Sequence, residues 1–416
     1  MKMKYKAFVL LTCVAFSFFL LSFNRVTAQT EPVAATEKLP SKIDDRYLHL
    51  FSAETPLDST KGYFTGFPTA VVHKGVIYVI YDYHSQHQAV PGLEQDYRFY
   101  KYSKDGGNTW SERKAMKLPS SDVRGISIDY RGMQLVDDGN KIHCIGVVVP
   151  SDTARIKPYR SYYCQLKSKR NGELKYRRFK MMPYVNEEGS RVAEPALLGD
   201  IQLGSNIVAG NLLMVDGWLY WCYYNSVRNV QLLRWNAKKY KTPKKENIEV
   251  LANIGDNNKI FRYSEVGMFY EEGNIILSVR DENAKNSNWK YELDTGELMH
   301  LGITETKAFG PNIYKPTEGP ALLTGRQYTY LRSREQLTRM DNLILLSPEG
   351  KIIKENIGFV GHPMGGDSMY CSTVEHGGLI YIFYYYGMNS SQVSPNSRYL
   401  VAYKTIKVED LNKLLD

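Results

Sequence analysis

The sequence predicts an all-β fold, a six-bladed β-propeller of four-stranded antiparallel blades. Three observations carry that prediction. One strand–turn–strand unit recurs six times. Its turn glycines, Gly75, Gly139, Gly217, Gly273, Gly319 and Gly378, are spaced by 64, 78, 56, 46 and 59 residues. Each interval holds the hairpin and room for two more strands, which is the content of a four-stranded blade. The strands are also apolar on both faces, as expected where each blade packs between two others. A jelly roll or sandwich is the competing architecture, but neither predicts six copies of one hairpin.

The elements follow in order. Residues 1–28 read as a secretory signal peptide. Lys2, Lys4 and Lys6 give a basic start, residues 7–23 are almost wholly apolar, and Val26-Thr27-Ala28 is a small-residue exit. Cys13 lies inside the apolar run, which argues against a lipoprotein site. The expected location is periplasmic or secreted, with no membrane anchor after cleavage. Residues 29–60 read as a leader with one strand-like piece, Tyr47 to Ser52. The propeller is expected over 61–416.

The six hairpins run from Phe67 to Tyr81, Asp129 to Gly146, Ile207 to Tyr224, Glu265 to Arg280, Gly310 to Arg326 and Tyr370 to Tyr386. The basic, tyrosine-rich stretch 150–194 is expected to carry the outer strands of the second blade and a surface loop. Arg398 to Lys404 reads as a final strand, and residues 408–415 as a short helix. The two termini are expected to share one blade, closing the ring and removing open sheet edges.

Charge and composition narrow the function. The chain has 53 Lys+Arg and 44 Asp+Glu, a net of +9. Residues 1–28 hold four of the cations and no acid, so the remainder is 49 against 44, or +5. That is too mild for a nucleic-acid partner, which calls for a strong basic stripe. The basic clusters at 167–170 and 238–245 read as solvated loops. Tyrosine, at 32 residues, suits strands and also offers flat amphipathic faces for sugars. Cys144 and Cys222 lie in strand-like runs, where Cys serves as a small buried hydrophobe. With Cys164 and Cys371 they show no zinc spacing, and no disulfide is expected to be required. No Walker-type loop, dinucleotide fingerprint or EF-hand loop is present, so no cofactor is expected.

The hairpin ends opposite the turns carry the candidate site. In a propeller, corresponding ends of the inner strands surround one channel, so residues distant in sequence meet there. These ends offer Asp82, His84 and His87; Asp129 and Arg131; Glu265 and Arg280; Asn312 and Arg326; and Asp367 with Tyr370. Burying such charges without partners is costly. They therefore pair with one another, bridging blades, or bind a ligand; the recurrence of the same polar type at equivalent ends favours a site.

One motif adds a resemblance. Ser103-Lys104-Asp105-Gly106-Gly107-Asn108-Thr109-Trp110 resembles the Asp-box of the sialidase superfamily, S-x-D-x-G-x-T-W. Ser264-Glu265 followed by Val279-Arg280, then Gly325-Arg326, then Gly366-Asp367 leading to Tyr370, are similar to that family's site segments. The resemblance spans about 60–405 and is closest to sialidase-like proteins of exported glycan-degrading systems. It implies Tyr370 as nucleophile, Glu265 as its base, and Arg280 and Arg326 as the grip on a substrate carboxylate. A planar bidentate cation suits that grip. A Tyr needs a base beside it because its ordinary pKa is near 10.

The chain also departs from the family. Where sialidases carry Arg-x-Pro in the first blade, this chain reads Gly66-Phe67-Pro68. The clamp lacks one arginine unless Arg131 enters it. Asp82 or His87 is the candidate general acid, and a histidine suits proton transfer near neutral pH. The expected activity is hydrolysis of an acidic or modified glycan. A propeller lyase and a non-catalytic glycan-binding propeller are the alternatives.

Overall fold

A computed structural model describes residues 43–84, 97–116, 128–150, 160–182, 197–198, 201–202, 207–208, 210–224, 230–254, 263–281, 285–331, 336–361, 368–387 and 398–416. The expected signal peptide and most of the expected leader lie outside them. Described residues form the six predicted blades. Blade 1 comprises Phe64–His73, Val76–His84, Tyr97–Ser103 and Lys114–Met116, hydrogen-bonded in that order. Blade 2 is Ile128–Asp137, Ile142–Pro150, Arg160–Ser168 and Leu174–Met181. Its outer strands fall in the stretch 150–194, as expected.

Blade 3 has Trp218–Tyr224, Val230–Asn236 and Ile248–Ile254, and its inner strand is interrupted into Ile207–Val208 and Leu213–Val215. Blade 4 is Tyr263–Glu271, Asn274–Asp281, Asn286–Glu292 and Leu298–Ile303. Blade 5 is Phe309–Tyr314, Ala321–Leu331, Gln336–Leu346 and Ile352–Ile357. A small separate hairpin, Leu197–Leu198 with Ile201–Gln202, precedes blade 3.

The ring closes through the termini. Blade 6 runs Ser372–His376, Leu379–Gly387, Arg398–Lys407 and then Thr55–Lys61 from the other end of the chain. The closing strand is not the one expected. Tyr47 to Ser52 contains a single 3-10 turn, Leu48–Leu50, with only a bridge from Phe51 to Ile406. Thr55–Lys61 looks polar because it is an edge strand that buries only Leu57 and Thr60. Its Pro56 is tolerated beside a bulge on that edge. The final segment Val408–Leu414 is 3-10 rather than α and buries Leu411 and Leu414.

Six apolar clusters fill the six blade interfaces, and strand alternation deals side chains to both. In Val76–His84, Tyr78 and Ile80 face Leu135, Cys144 and Tyr162 of blade 2. Ile77, Val79 and Tyr81 of the same strand face Phe383 and Tyr385 of blade 6. A strand packed on both faces reads as a continuous apolar run. At the turns, Lys74-Gly75, Asp216-Gly217 and Glu272-Gly273 all take positive φ. That is the backbone twist favoured by two-residue hairpins. All four cysteines of the expected mature chain are buried free thiols.

Candidate active site

The ends of the hairpins opposite the turns are distorted in a regular way. In blade 1 the inner ladder slips between Gly66 and Thr69, in blade 4 between Tyr263 and Val266, and in blade 5 between Phe309 and Asn312. Before blade 6, Met369 N–H donates to Tyr385 O, and the ladder resumes at Ser372 with Phe383. Bulges re-aim side chains that a regular pleat would send to the blade faces. Glu265 and Tyr370 both stand in such offsets, and both are partly exposed.

The bulged ends bring blades 4, 5 and 6 together. Tyr370 O–H donates to Glu265 Oε1 at 2.5 Å. Arg280 Nη1 donates to Glu265 Oε2 at 2.8 Å, and the Gly310 N–H donates to the same oxygen at 3.0 Å. The Arg326 guanidinium lies 5.1 Å from the centre of the Tyr370 ring, and its Nη1 donates to the Ser368 carbonyl at 3.3 Å. Two arginines thus flank a tyrosine whose hydroxyl already leans on a carboxylate. Such a carboxylate can take the phenolic proton, and the neighbouring cations favour the phenolate that results.

Backbone and aromatic neighbours fix this geometry. A Cβ at Gly310, where φ is +68°, would lie 2.8 Å from the Tyr370 ring. Only glycine lets the chain pass that close while donating to Glu265. Phe67 packs edge-on to Tyr370 with ring centres 5.1 Å apart, and Tyr385 stacks on it at 6.5 Å. Phe309 lies under the Arg280 guanidinium at 4.3 Å. Phe67, Phe309, Gly310 and Tyr385 escaped sequence reasoning because apolar residues in strand-like runs look like core. One signal was available: both Phe67-Pro68 and Gly310-Pro311 place a proline where a ladder must break.

The position of the missing arginine is filled. A Cβ at Gly66 would lie 2.7 Å from ring atoms of Phe64 and of Tyr385. Blade 1 therefore has no room for a side chain there without moving two buried rings.

Other expected residues fall elsewhere. Asp82 does not face the mouth, so its reading as general acid is corrected. Its carboxylate is 2 % exposed and lies 3.0 Å from Nε of Arg98, itself 1 % exposed. Arg98 Nη1 donates in turn to Tyr162 O–H oxygen of blade 2 at 2.6 Å. Burial opposes the charge on Arg98, but the Asp82 carboxylate prevails and holds the guanidinium above its usual value. A carboxylate locked to a buried cation has no proton to offer. Asn312 is buried in the inner strand of blade 5, on the wall of the axial cavity. The backbones of Asp129 and Arg131 stand at the equivalent end of blade 2, opposite Val149 and Val147. Their side chains and that of His84 lie outside the described residues, as do His87 and Asp367 entirely.

The turn at 103–110 is built as its motif implies. Asp105 Oδ1 accepts from Thr109 N–H at 2.9 Å and from Ser103 O–H at 2.7 Å, and Oδ2 accepts from Thr109 O–H at 2.5 Å. These donors, Thr109 first, hold the Asp105 carboxyl down at about 2. Trp110 Nε1 donates to Tyr403 O–H oxygen at 3.2 Å, and Tyr381 O–H donates to Gly106 O at 2.6 Å. The turn therefore bolts blade 1 to blade 6, and among the described residues it bonds to none of the candidate site residues.

Solved structures share this architecture. The fold is similar to Trypanosoma rangeli sialidase in complex with sialic acid, at a TM-score of 0.57 and 13% identity over 90% of this chain and 59% of that one. It is similar to the phage phi92 endosialidase, at 0.56 and 12% over 84% of this chain and 69% of that one. It is also similar to the NanB sialidase of Streptococcus pneumoniae, at 0.55 and 14% over 87% and 71%. The chain thus spans about three fifths of the trypanosomal protein. No family model and no curated protein sequence matches it. At these identities the likeness establishes the six-bladed propeller fold alone.

Proposed function

We propose that the chain is a sialidase-like glycoside hydrolase acting on an acidic or modified glycan. The observation that carries this reading is the hydrogen bond from Tyr370 O–H to Glu265 Oε1 at 2.5 Å, flanked by Arg280 and Arg326. Tyr370 Oη attacks the anomeric carbon and passes its proton to Glu265. The bond to the leaving oxygen breaks, and that oxygen takes a proton from a general acid. Water then cleaves the glycosyl–tyrosine bond and the tyrosine regains its proton. Arg280 and Arg326 orient the acidic group of the sugar. With Asp82 committed to Arg98, the acid assigned by sequence is His87.

The similar structures support a glycan substrate, since one is a sialidase in complex with sialic acid and another is an endosialidase. The filled position at Gly66 supports an acidic group held by fewer arginines than the family pattern supplies. Export rests on the signal-like residues 1–28. Release of sugar from a panel of sialylated, uronic-acid-bearing and sulfated oligosaccharides tests the reading. It expects a free reducing sugar from at least one acidic class. An unsaturated, ultraviolet-absorbing product identifies a lyase instead, and binding without release identifies a lectin-like propeller.

A further inference from the structure

The turn end of blade 2, opposite the mouth, carries a cluster of cations that the proposed reaction does not use. Ile142 pairs with Leu166, and Gln165 with Arg177, so three strands meet beside the Gly139 turn. A cavity of about 240 Å³ there is lined by Lys141, Lys167, Arg177 and Arg178, with Asn140 and Gln165. No Asp or Glu among the described residues lines it. Lys141 lies 3.7 Å from Asp138 Oδ2, an oxygen that already holds His143 at 2.9 Å. Lys167, Arg177 and Arg178 are exposed and make no ion pair with any described residue. Lys167 stands on the strand Arg160–Ser168 rather than in a loop. Like charges gathered round one cavity repel, and an anion between them relieves that repulsion.

The backbone is distorted to gather these cations. Successive side chains of a regular strand point to opposite faces, so Arg177 and Arg178 would diverge. Here the ladder passes from Tyr163 with Lys180 to Gln165 with Arg177, so Arg178 and Phe179 together oppose Cys164. Arg178 takes φ +53°, the left-handed conformation in which such a bulge ordinarily carries glycine. Two adjacent guanidinium groups therefore line one cavity, at a backbone position where glycine would be easier. Strain held by a residue that is not glycine points to a use for its side chain. The donors narrow the ligand. A carboxylate has two oxygens and fills one arginine fork, whereas a sulfate or phosphate ester offers three acceptor oxygens to several donors. The cavity is smaller than the roughly 300 Å³ at which sites for drug-sized ligands begin, so it takes a group rather than a whole oligosaccharide.

We propose that this cavity is an anion site that holds the sulfate or phosphate monoester group of a small ligand, with Arg177 and Arg178 as its principal donors. It does not depend on the hydrolase reading, because it concerns binding at the far end of blade 2. The test titrates glucose 6-sulfate, glucose 6-phosphate, glucuronate and glucose separately into the folded full chain at fixed ionic strength, up to roughly 50 mM so that millimolar affinities are read. Saturable binding of at least one of the two esters is expected, and which of them binds more tightly identifies the source of the group. Glucuronate and glucose should bind at least about tenfold more weakly. Arg178→Gly is the decisive variant, because it removes the guanidinium and puts the residue at ease at positive φ. Its unfolding midpoint should be equal to or above that of the parent chain. Its affinity for the ester should fall at least about tenfold, or about 1.4 kcal/mol. Turnover at Tyr370 should not change. If Arg178→Gly does not fold, Arg177→Gln takes its place with the same expected loss of affinity. No saturation by either ester, equal binding of glucuronate or glucose, or an unchanged ester affinity in the variant would each overturn the proposal.

Discussion

Replacing Asp82 with alanine separates a structural ion pair from a catalytic acid. Asp82 and Arg98 lie 3.0 Å apart, with side chains 2 % and 1 % exposed. Removing the carboxylate strands a guanidinium that no solvent reaches, with the Tyr162 hydroxyl as its one hydrogen-bond partner among the described residues. Breaking one half of a buried pair costs about 3–5 kcal/mol. Against a total stability of about 5–15 kcal/mol, that is a large fraction. At about 2 °C per kcal/mol for a large domain, the unfolding midpoint should fall by about 6–10 °C. The double variant Asp82→Leu with Arg98→Met should recover most of the loss, since apolar replacements of a buried pair are often neutral. Thermal unfolding reads the first effect, and turnover per folded molecule reads the second. Turnover should change less than about threefold, against the 10²–10⁴-fold typical of a lost general acid. An unchanged midpoint with a hundredfold loss of turnover would refute the reasoning and return Asp82 to the mechanism.

Gly66→Arg, which writes in the family's missing arginine, should destabilise by about 1–3 kcal/mol by overpacking Phe64 and Tyr385. A lower KM for an acidic substrate at unchanged stability would show that blade 1 has room after all. Glu265→Gln keeps an oxygen near Tyr370 but removes the base, so turnover should fall about 10²–10⁴-fold in a protein of native stability. Stability should also depend on pH through two groups. Burial pulls His143 below its usual 6.5, with Asp138 opposing, so its contribution is complete above 6.5 and is lost as pH falls through that value towards the folded one. Urea midpoints of His143→Gln should lose that slope. Asp105, held at about 2 against 3.8, contributes above 3.8 and loses that contribution as pH falls towards 2; Asp105→Asn should remove the effect, and an unaltered acid limb would contradict it.

The blades were legible because a repeat announces itself. Six glycine turns in one chain leave few architectures, and the apolar runs between them follow from packing on both faces. The closing strand was less legible, because Thr55–Lys61 is an edge that buries two side chains and hides its pairing in polar residues. Glu265, Arg280, Arg326 and Tyr370 were legible as charged or phenolic residues at equivalent hairpin ends. Asp82 occupied the same kind of position, yet the register pairs it opposite Gly66 and points it into the blade interface with Arg98. Position along a strand follows from sequence, but which face a side chain takes depends on where the bulge falls. The aromatic supports of the site were hidden for a related reason: Phe67 and Phe309 are ordinary strand residues until a bulge turns them towards the mouth.

The proposed hydrolysis depends most directly on Tyr370. Tyr370→Phe deletes one oxygen and leaves the ring among Phe67, Tyr385 and Arg326. Turnover of the glycan that the wild-type chain cleaves should drop at least about a thousandfold, with the unfolding midpoint unchanged. A Tyr370→Phe chain that cleaves that glycan at the wild-type rate would contradict the central claim.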